Sequence, residues 1–336
     1  MTVKKLFRSA LVAGGSLAIL AGGQATAQTK LTLVHPFPTF LVYTKSCLEL
    51  AKKINAAGKG VVEIDVRGGP EAIKMFQQAP AVSKGAVDMT CIPAAFYANA
   101  IPENEAISTS NSSPAAVRAN GGMAIIDRLH QRYFKVKYLG WIDSGPGFHI
   151  YMAETPKFRK DGLPDFSTTK MRDNPIYGAF FRALDAKTHN MAATQVYAAL
   201  EKGIINAAAW TSIGLMQLKW DKFLRNRLDP KFYQTDMGVI INLRKWRSLS
   251  AKARKVIQDT VIEHEQSSRA ARMKDIIEEE EALRKGGMKF FTVPAKDKFI
   301  ALAVSSAYDR MFDRLKKRKR TLQFANQLRK LYRTGE

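Results

Sequence analysis

Two cysteines, Cys47 and Cys91, are all that 336 residues contain, and neither sits in a Cys-x-x-Cys or Cys/His spacing that would hold a metal. The five histidines, His35, His130, His149, His189 and His264, are scattered without ligand spacing. No Gly-x-Ser-x-Gly, His-Glu-x-x-His, P-loop or Gly-x-Gly-x-x-Gly occurs, which removes common signatures of serine hydrolases, zinc proteases and nucleotide-binding folds. Ser167-Thr168-Thr169-Lys170 does match Ser-x-x-Lys. It leads into a strand pattern instead of opening a helix, and Lys187-Thr188-His189 breaks the partner motif, so the match is chance. Acidic residues are scarce, 30 against 53 basic ones, so partners are expected to be anionic. No internal repeat and no low-complexity linker appear. Nothing in this inventory points to a catalytic centre, a metal or a cofactor.

What the chain does have begins at its N-terminus. Lys4, Lys5 and Arg8 precede an apolar run over 10–23, and Ala25-Thr26-Ala27 supplies the small-x-small end of a secretory leader cut after Ala27. The run is shorter than the roughly 20 residues of a membrane span, and no later segment is long enough either. The sequence therefore predicts an exported protein without a span of its own. Cleavage removes three basic and no acidic residues, taking the formal net charge from +23 to +20. Such a field suits nucleic acid, an anionic membrane or small anionic solutes, and export argues against nucleic acid. The basic run 316–320 (KKRKR) reads as a solvated helix end or a patch resting near an acidic surface. An oxidising compartment permits a Cys47–Cys91 disulfide, and two separate buried thiols fit equally well.

The body of the chain is 46% hydrophobic, enough for a sizeable core. Short β-rich runs alternate with helical patterns, which predicts an α/β fold. Strands are expected at 30–35, 61–69, from 86, and at 134–143, with helices between them, in a largely parallel sheet whose carboxyl ends face a ligand. A second unit starts at 165–173, followed by strands at 203–210 and 237–242. From 250 to 285 runs one unbroken helix pattern, with Ser250 as N-cap and Gly286-Gly287 as stop. At 1.5 Å per residue it reaches on the order of 50 Å, long enough to bridge two lobes.

Arg172 stands where a strand hands over to a helix, in STTKMRDNPIYGAFFRAL (167–184). An arginine aimed into a cleft there would clamp a carboxylate, because its planar fork matches the two oxygens. This stretch, with Lys170-Met171-Arg172 and Phe180-Phe181, followed by Val196-Tyr197-Ala198-Ala199-Leu200 and Gly203-Ile204-Ile205-Asn206, resembles the solute-binding proteins of TRAP-type transporters, the DctP kind. The segments 81–89 and 240–257 fit the same family, so the resemblance covers nearly all of the mature chain. It implies a two-lobed periplasmic-binding-protein-like fold with a long helix bridging both lobes. Residues 28–147 plus 238–265 would form the first lobe. Residues 148–237 plus 266–336 would form the second, with the C-terminal helices. It further implies a periplasmic receptor, not an enzyme, that closes on a small organic acid and docks on the membrane permease subunits. Arg172 matches the family's central ligand contact.

The departures are informative. Many members carry a second cleft arginine where this chain has Phe148, His149 and Tyr151. Members that bind a metal with a 2-oxo acid have Glu before Trp, where this chain reads Ala208-Ala209-Trp210, so no metal is expected. Asn206 replaces the usual Asp. The expected ligand is a monocarboxylate, a 2-oxo, 2-hydroxy or aromatic acid. Its body would meet Trp210, Thr211, Phe148 and Tyr151, with Phe37, Glu71, Tyr97 and Trp141 as further candidates at strand ends. The competing readings are an exported enzyme for an anionic substrate and an envelope protein binding acidic polymers.

Overall fold

The computed structural model describes residues 28–334 and Thr2. The leader and its cleavage after Ala27 lie, Thr2 apart, outside the described residues. Eleven strands are present among the described residues: β1 Thr29–Val34, β2 Val62–Gly68, β3 Met89–Pro93, β4 Val136–Ile142, β5 Phe148–Met152, β6 Lys170–Asp173, β7 Lys187–Asn190, β8 Ala207–Thr211, β9 Asn226–Asp229, β10 Met237–Asn242 and β11 Lys289–Thr292. They form two sheets, β2-β1-β3-β10-β4 and β11-β9-β5-β8-β6-β7, the centres of two α/β lobes.

The expectation of a largely parallel first sheet holds only in part. β2, β1 and β3 are parallel, but β10 enters from the other lobe and pairs antiparallel with both β3 and β4. All six residues of β10 are buried, as suits a central strand covered on both faces. In the second sheet β5 is the reversed strand, antiparallel to β8 and β9. The reversals put the amino ends of β5 and β10 beside the carboxyl ends of their neighbours: Phe148 pairs with Thr211, and Met237 with Pro93 and Ile142.

Helix Val42–Ala57 shows how pattern becomes packing. Tyr43, Cys47, Leu50 and Ile54 recur at steps of three and four and are buried on one face. Cys47 on that face is disulfide-bonded to Cys91 of β3, which settles the alternatives left open by composition. In the second lobe the paired Phe180 and Phe181 are wholly buried. Phe180 packs at 5.0 Å from both Phe232 and Phe299. Each such ring contributes about 1.5–3 kcal/mol through burial.

Three connections join the lobes: 143–147 between β4 and β5, 230–236 between β9 and β10, and the helix Ala251–Lys285 that leads to β11. The helix begins as expected, with Ser250 Oγ accepting the Ala253 N–H at 3.1 Å. Glu265 accepts the Trp141 N–H at 2.7 Å and pairs with Arg118. Arg272 pairs with Asp143 at 3.1 Å. Further along, Glu279 accepts the Gly214 and Met216 N–H groups, and Glu280 meets Arg227 of β9 at 3.2 Å.

The C-terminal helices divide between the lobes. Helix Lys296–Lys317 packs on Gly178–Ala183 of the second lobe, whereas Gln323–Tyr332 packs on the first, burying Leu328 and Tyr332 among Val117, Ile126 and Trp141. Arg310 and Arg314 grip the fully buried Glu105 at 2.6 and 3.2 Å. The basic run is not wholly solvated: Arg320 pairs with Glu103 at 2.5 Å, and Arg318 donates to the Asn99 carbonyl. No helix of the described residues is long and apolar enough to cross a membrane.

Candidate functional site

The strand ends described above converge on one cavity between the lobes. The first lobe contributes Phe37 after β1, Tyr43, Phe96 after β3, and Asp236 before β10. The second contributes Phe148 at the start of β5, Arg172 of β6, Asn174, and Trp210 and Thr211 of β8. Space between these side chains amounts to about 390 Å³, of which about 20 Å³ is open to a water molecule's centre. That is room for one or two waters, so the cleft is shut. The Tyr43 and Thr211 hydroxyls meet across it at 2.6 Å, Val42 N–H donates to Gln217 at 3.0 Å, and the Phe37 and Trp210 rings meet edge-on at 6.0 Å.

Arg172 is 1% exposed. Its Nε and Nη2 both donate to the Met191 carbonyl, at 3.2 and 2.9 Å, and Nη1 donates to the Tyr177 hydroxyl. Tyr177 in turn donates to the Ala209 carbonyl at 2.9 Å, tying the arginine to β8. These contacts use three of the five N–H donors of a guanidinium and leave two. Among the described residues no carboxylate pairs with Arg172; neighbouring Asp173 turns to Arg182 at 3.8 Å. A buried cation without a counterion is costly, and an anion entering the cavity removes that cost.

Asp236 supplies the opposite sign. It is 1% exposed, and its Oδ2 accepts from Ala95 N–H at 2.9 Å and Ser108 Oγ at 2.7 Å. Burial pushes its carboxyl up to about 6, against the pull of those two donors. The cavity thus carries one hydrogen-bond donor pole, one acceptor pole and a wall of aromatic rings. Among the described residues no His/Cys/Asp/Glu group is arranged to hold a metal ion.

Of the residues singled out in the sequence, Arg172, Trp210, Phe148, Phe37 and Thr211 line this cavity. The other five do not. Trp141 and Tyr151 stand behind it: Trp141 Nε1 donates to the carbonyl of cavity residue Thr235 at 2.8 Å, and the Tyr151 hydroxyl donates to that of Thr211 at 3.3 Å. His149 points to Asp229 at 2.8 Å and Ser212 at 3.1 Å, and burial lowers its pKa. Tyr97 bonds His130 at 3.0 Å inside the first lobe. Glu71 is exposed, and its acceptance of the Gly69 N–H holds its carboxyl below the usual range.

The family model for bacterial extracellular solute-binding protein, family 7 (DctP), matches residues 38–315. The chain belongs to this family. Solved structures agree in fold. A TRAP transporter solute-binding protein from Bordetella bronchiseptica, with copurified calcium and picolinate, superposes with a TM-score of 0.78 at 18% identity, over 90% of this chain and 92% of that one. A Bordetella pertussis extracytoplasmic solute receptor binding pyroglutamic acid gives 0.75 at 18%, over 90% and 99%. A TRAP periplasmic solute-binding protein from Desulfovibrio salexigens with bound orotic acid gives 0.78 at 15%, over 91% and 99%. The two-lobed α/β architecture of this DctP-family chain is that of the TRAP solute-binding proteins.

Proposed function

We propose that this DctP-family chain is the periplasmic receptor of a TRAP transporter and carries a small monocarboxylate bearing an N–H or O–H donor. The observation that carries this reading is the buried, counterion-free guanidinium of Arg172 in the interlobe cavity. Its two remaining donors take the carboxylate oxygens. Asp236 selects the rest of the ligand. An ionised carboxylate accepts only, so it welcomes a hydroxyl, ammonium or lactam N–H and repels the lone pairs of a 2-oxo group. This narrows the expectation from 2-oxo or 2-hydroxy acids to the latter, and keeps ring acids with an N–H. The acids in the compared structures, picolinate, pyroglutamic acid and orotic acid, are small carboxylic acids of this size. The aromatic rings of Phe37, Phe96, Phe148 and Trp210 enclose the apolar body. The lobes open to admit the acid, close over it, and the closed form delivers it to the permease subunits. The ligand leaves unchanged, so no catalytic residue is required.

The test is a thermal-shift and calorimetric panel at pH 8 on protein stripped of carried ligand. It compares 2-hydroxyisovalerate, 2-oxoisovalerate and pyroglutamate, with Arg172→Ala beside the wild type. A ligand at about 1,000 times its dissociation constant adds roughly 4 kcal/mol, a plain shift in Tm. The expected outcome is binding of a donor-bearing acid, lost in Arg172→Ala. Equal binding of the same acid by wild type and Arg172→Ala would refute the clamp.

A further inference from the structure

A second cavity, open to solvent, lies where the three interlobe connections meet, with about 780 Å³ of space when the solvent at its mouth is counted. Gly145 comes from the first connection, Lys231 and Gln234 from the second, and Arg269 from the bridging helix. The loop Ser110–Ser112 and Arg333 close it from the first lobe and the C-terminus. No acidic residue lines it.

Its cations are held in place by the connections themselves. Lys231 Nζ donates to the Gly145 carbonyl at 3.1 Å, and its stem lies over Gly147, where any Cβ would collide with it. Arg269 Nη1 donates to Ser144 Oγ at 3.4 Å. Arg333 donates to the Thr109 carbonyl. Among the described residues neither Lys231 nor Arg269 forms an ion pair with a carboxylate, whereas Arg272, Arg310 and Arg320 do. Partial loss of hydration, and after it the nearby Arg269 charge, lower the Lys231 pKa, although the residue as a whole keeps its exposure to solvent. Ser112 also lines the cavity; it is 9% exposed, and its Oγ is buried without a hydrogen-bond partner.

We propose that this hinge pocket is a binding site for a small oxyanion of the phosphate or sulfate class, separate from the acid-binding cleft. Lys231 retains two N–H donors after its bond to Gly145, and Arg269 retains four after its bond to Ser144. A tetrahedral anion accepts from both cations and relieves the repulsion between them, and a rotation of the covered Ser112 side chain would bring in its unused hydroxyl. It also bridges two of the connections between the lobes. The inference stands on the pocket's own geometry and does not depend on the identity of the acid in the cleft.

The probe is inorganic phosphate, titrated into the mature protein at constant ionic strength set with chloride and followed by calorimetry and Tm. The expected result is saturable binding of one phosphate per chain. Lys231→Met/Arg269→Met should weaken it by about ten- to a hundredfold, the range for losing hydrogen bonds to a charged group. The control Lys84→Ala/Arg247→Ala removes two exposed cations elsewhere and should leave it unchanged. If the double variant fails to fold by circular dichroism, Lys231→Gln alone, a change at a solvent-exposed lysine, carries the same test. Non-saturating uptake, or equal loss in the control pair, would mean general attraction to a basic surface and overturn the proposal. Unaltered phosphate affinity in the Lys231 variants would overturn it as well.

Discussion

Replacing Asp236 by Asn should make the protein more stable and a worse receptor. Burial raises the Asp236 carboxyl from 3.8 to about 6, so the ionised form is disfavoured in the fold. A folded state that holds its proton more tightly than the unfolded chain loses stability as pH rises between those two values. Below about 3.8 the carboxyl is protonated in both states and the cost is absent. Above about 6 it is fully present. A displacement of about two units corresponds to roughly 3 kcal/mol. Asn keeps an oxygen able to accept from Ala95 and Ser108 and carries no charge, so it stands in for the protonated acid. Urea unfolding of both proteins across pH 4–8 should show Asp236→Asn gaining up to about 3 kcal/mol at pH 8 and almost nothing near pH 4. Calorimetry at pH 8 should show weaker binding of the donor-bearing acid. A variant less stable than wild type at pH 8, or a difference that does not change with pH, would refute the reasoning.

Two further outcomes follow from the described contacts. Removing the Cys47–Cys91 bridge as a double alanine variant should lower unfolding free energy by about 4 kcal/mol in the chain-entropy account, given the 44-residue separation it closes; denaturant melts showing a loss under about 1 kcal/mol would contradict this. Glu105→Ala should cost about 3–5 kcal/mol, because Arg310 and Arg314 lose their buried partner, and adding Arg310→Met should restore part of it in the same assay.

Much of this was legible before any coordinates. The long helix and its stop at Gly286-Gly287 follow from local chemistry alone, and Gly287 does adopt a left-handed backbone at φ +83°. Arg172 was identified through the motif around it and lines the cavity. Asp236 was missed for a topological reason. Residues 237–242 read as an apolar strand, but nothing in six consecutive buried residues states direction. The sequence therefore points to ligand-facing loops at carboxyl ends only. Because β10 is antiparallel to β3 and β4, its amino end faces the cleft and brings Asp236 with it. Asn174 stands two residues beyond Arg172, just past the carboxyl end of β6, where ligand-facing residues are expected. Tyr97 and Trp141 show the converse. Both sit at or near strand ends, but one ring turns inward to His130 and the other to the Thr235 carbonyl, and strand position does not reveal side-chain direction.

The fastenings along the helix Ala251–Lys285 have a mechanical consequence. Glu265 and Arg272 bind it to the end of β4 and the turn after it, while Glu279 and Glu280 bind it to the loop after β8 and to β9. A continuous helix resists stretching and shortening, because every turn is closed by its own hydrogen bonds. It therefore works as a tie bar. It fixes the span between its anchor points on the two lobes but leaves the angle between them free. Sliding of one lobe along the other must break these charged contacts. Rotation about the connections spares the bar's own anchors and loads instead the grip of Arg310 and Arg314 on Glu105, which also links the lobes. The cleft works as a hinged jaw whose stroke is set by the bar and by that grip.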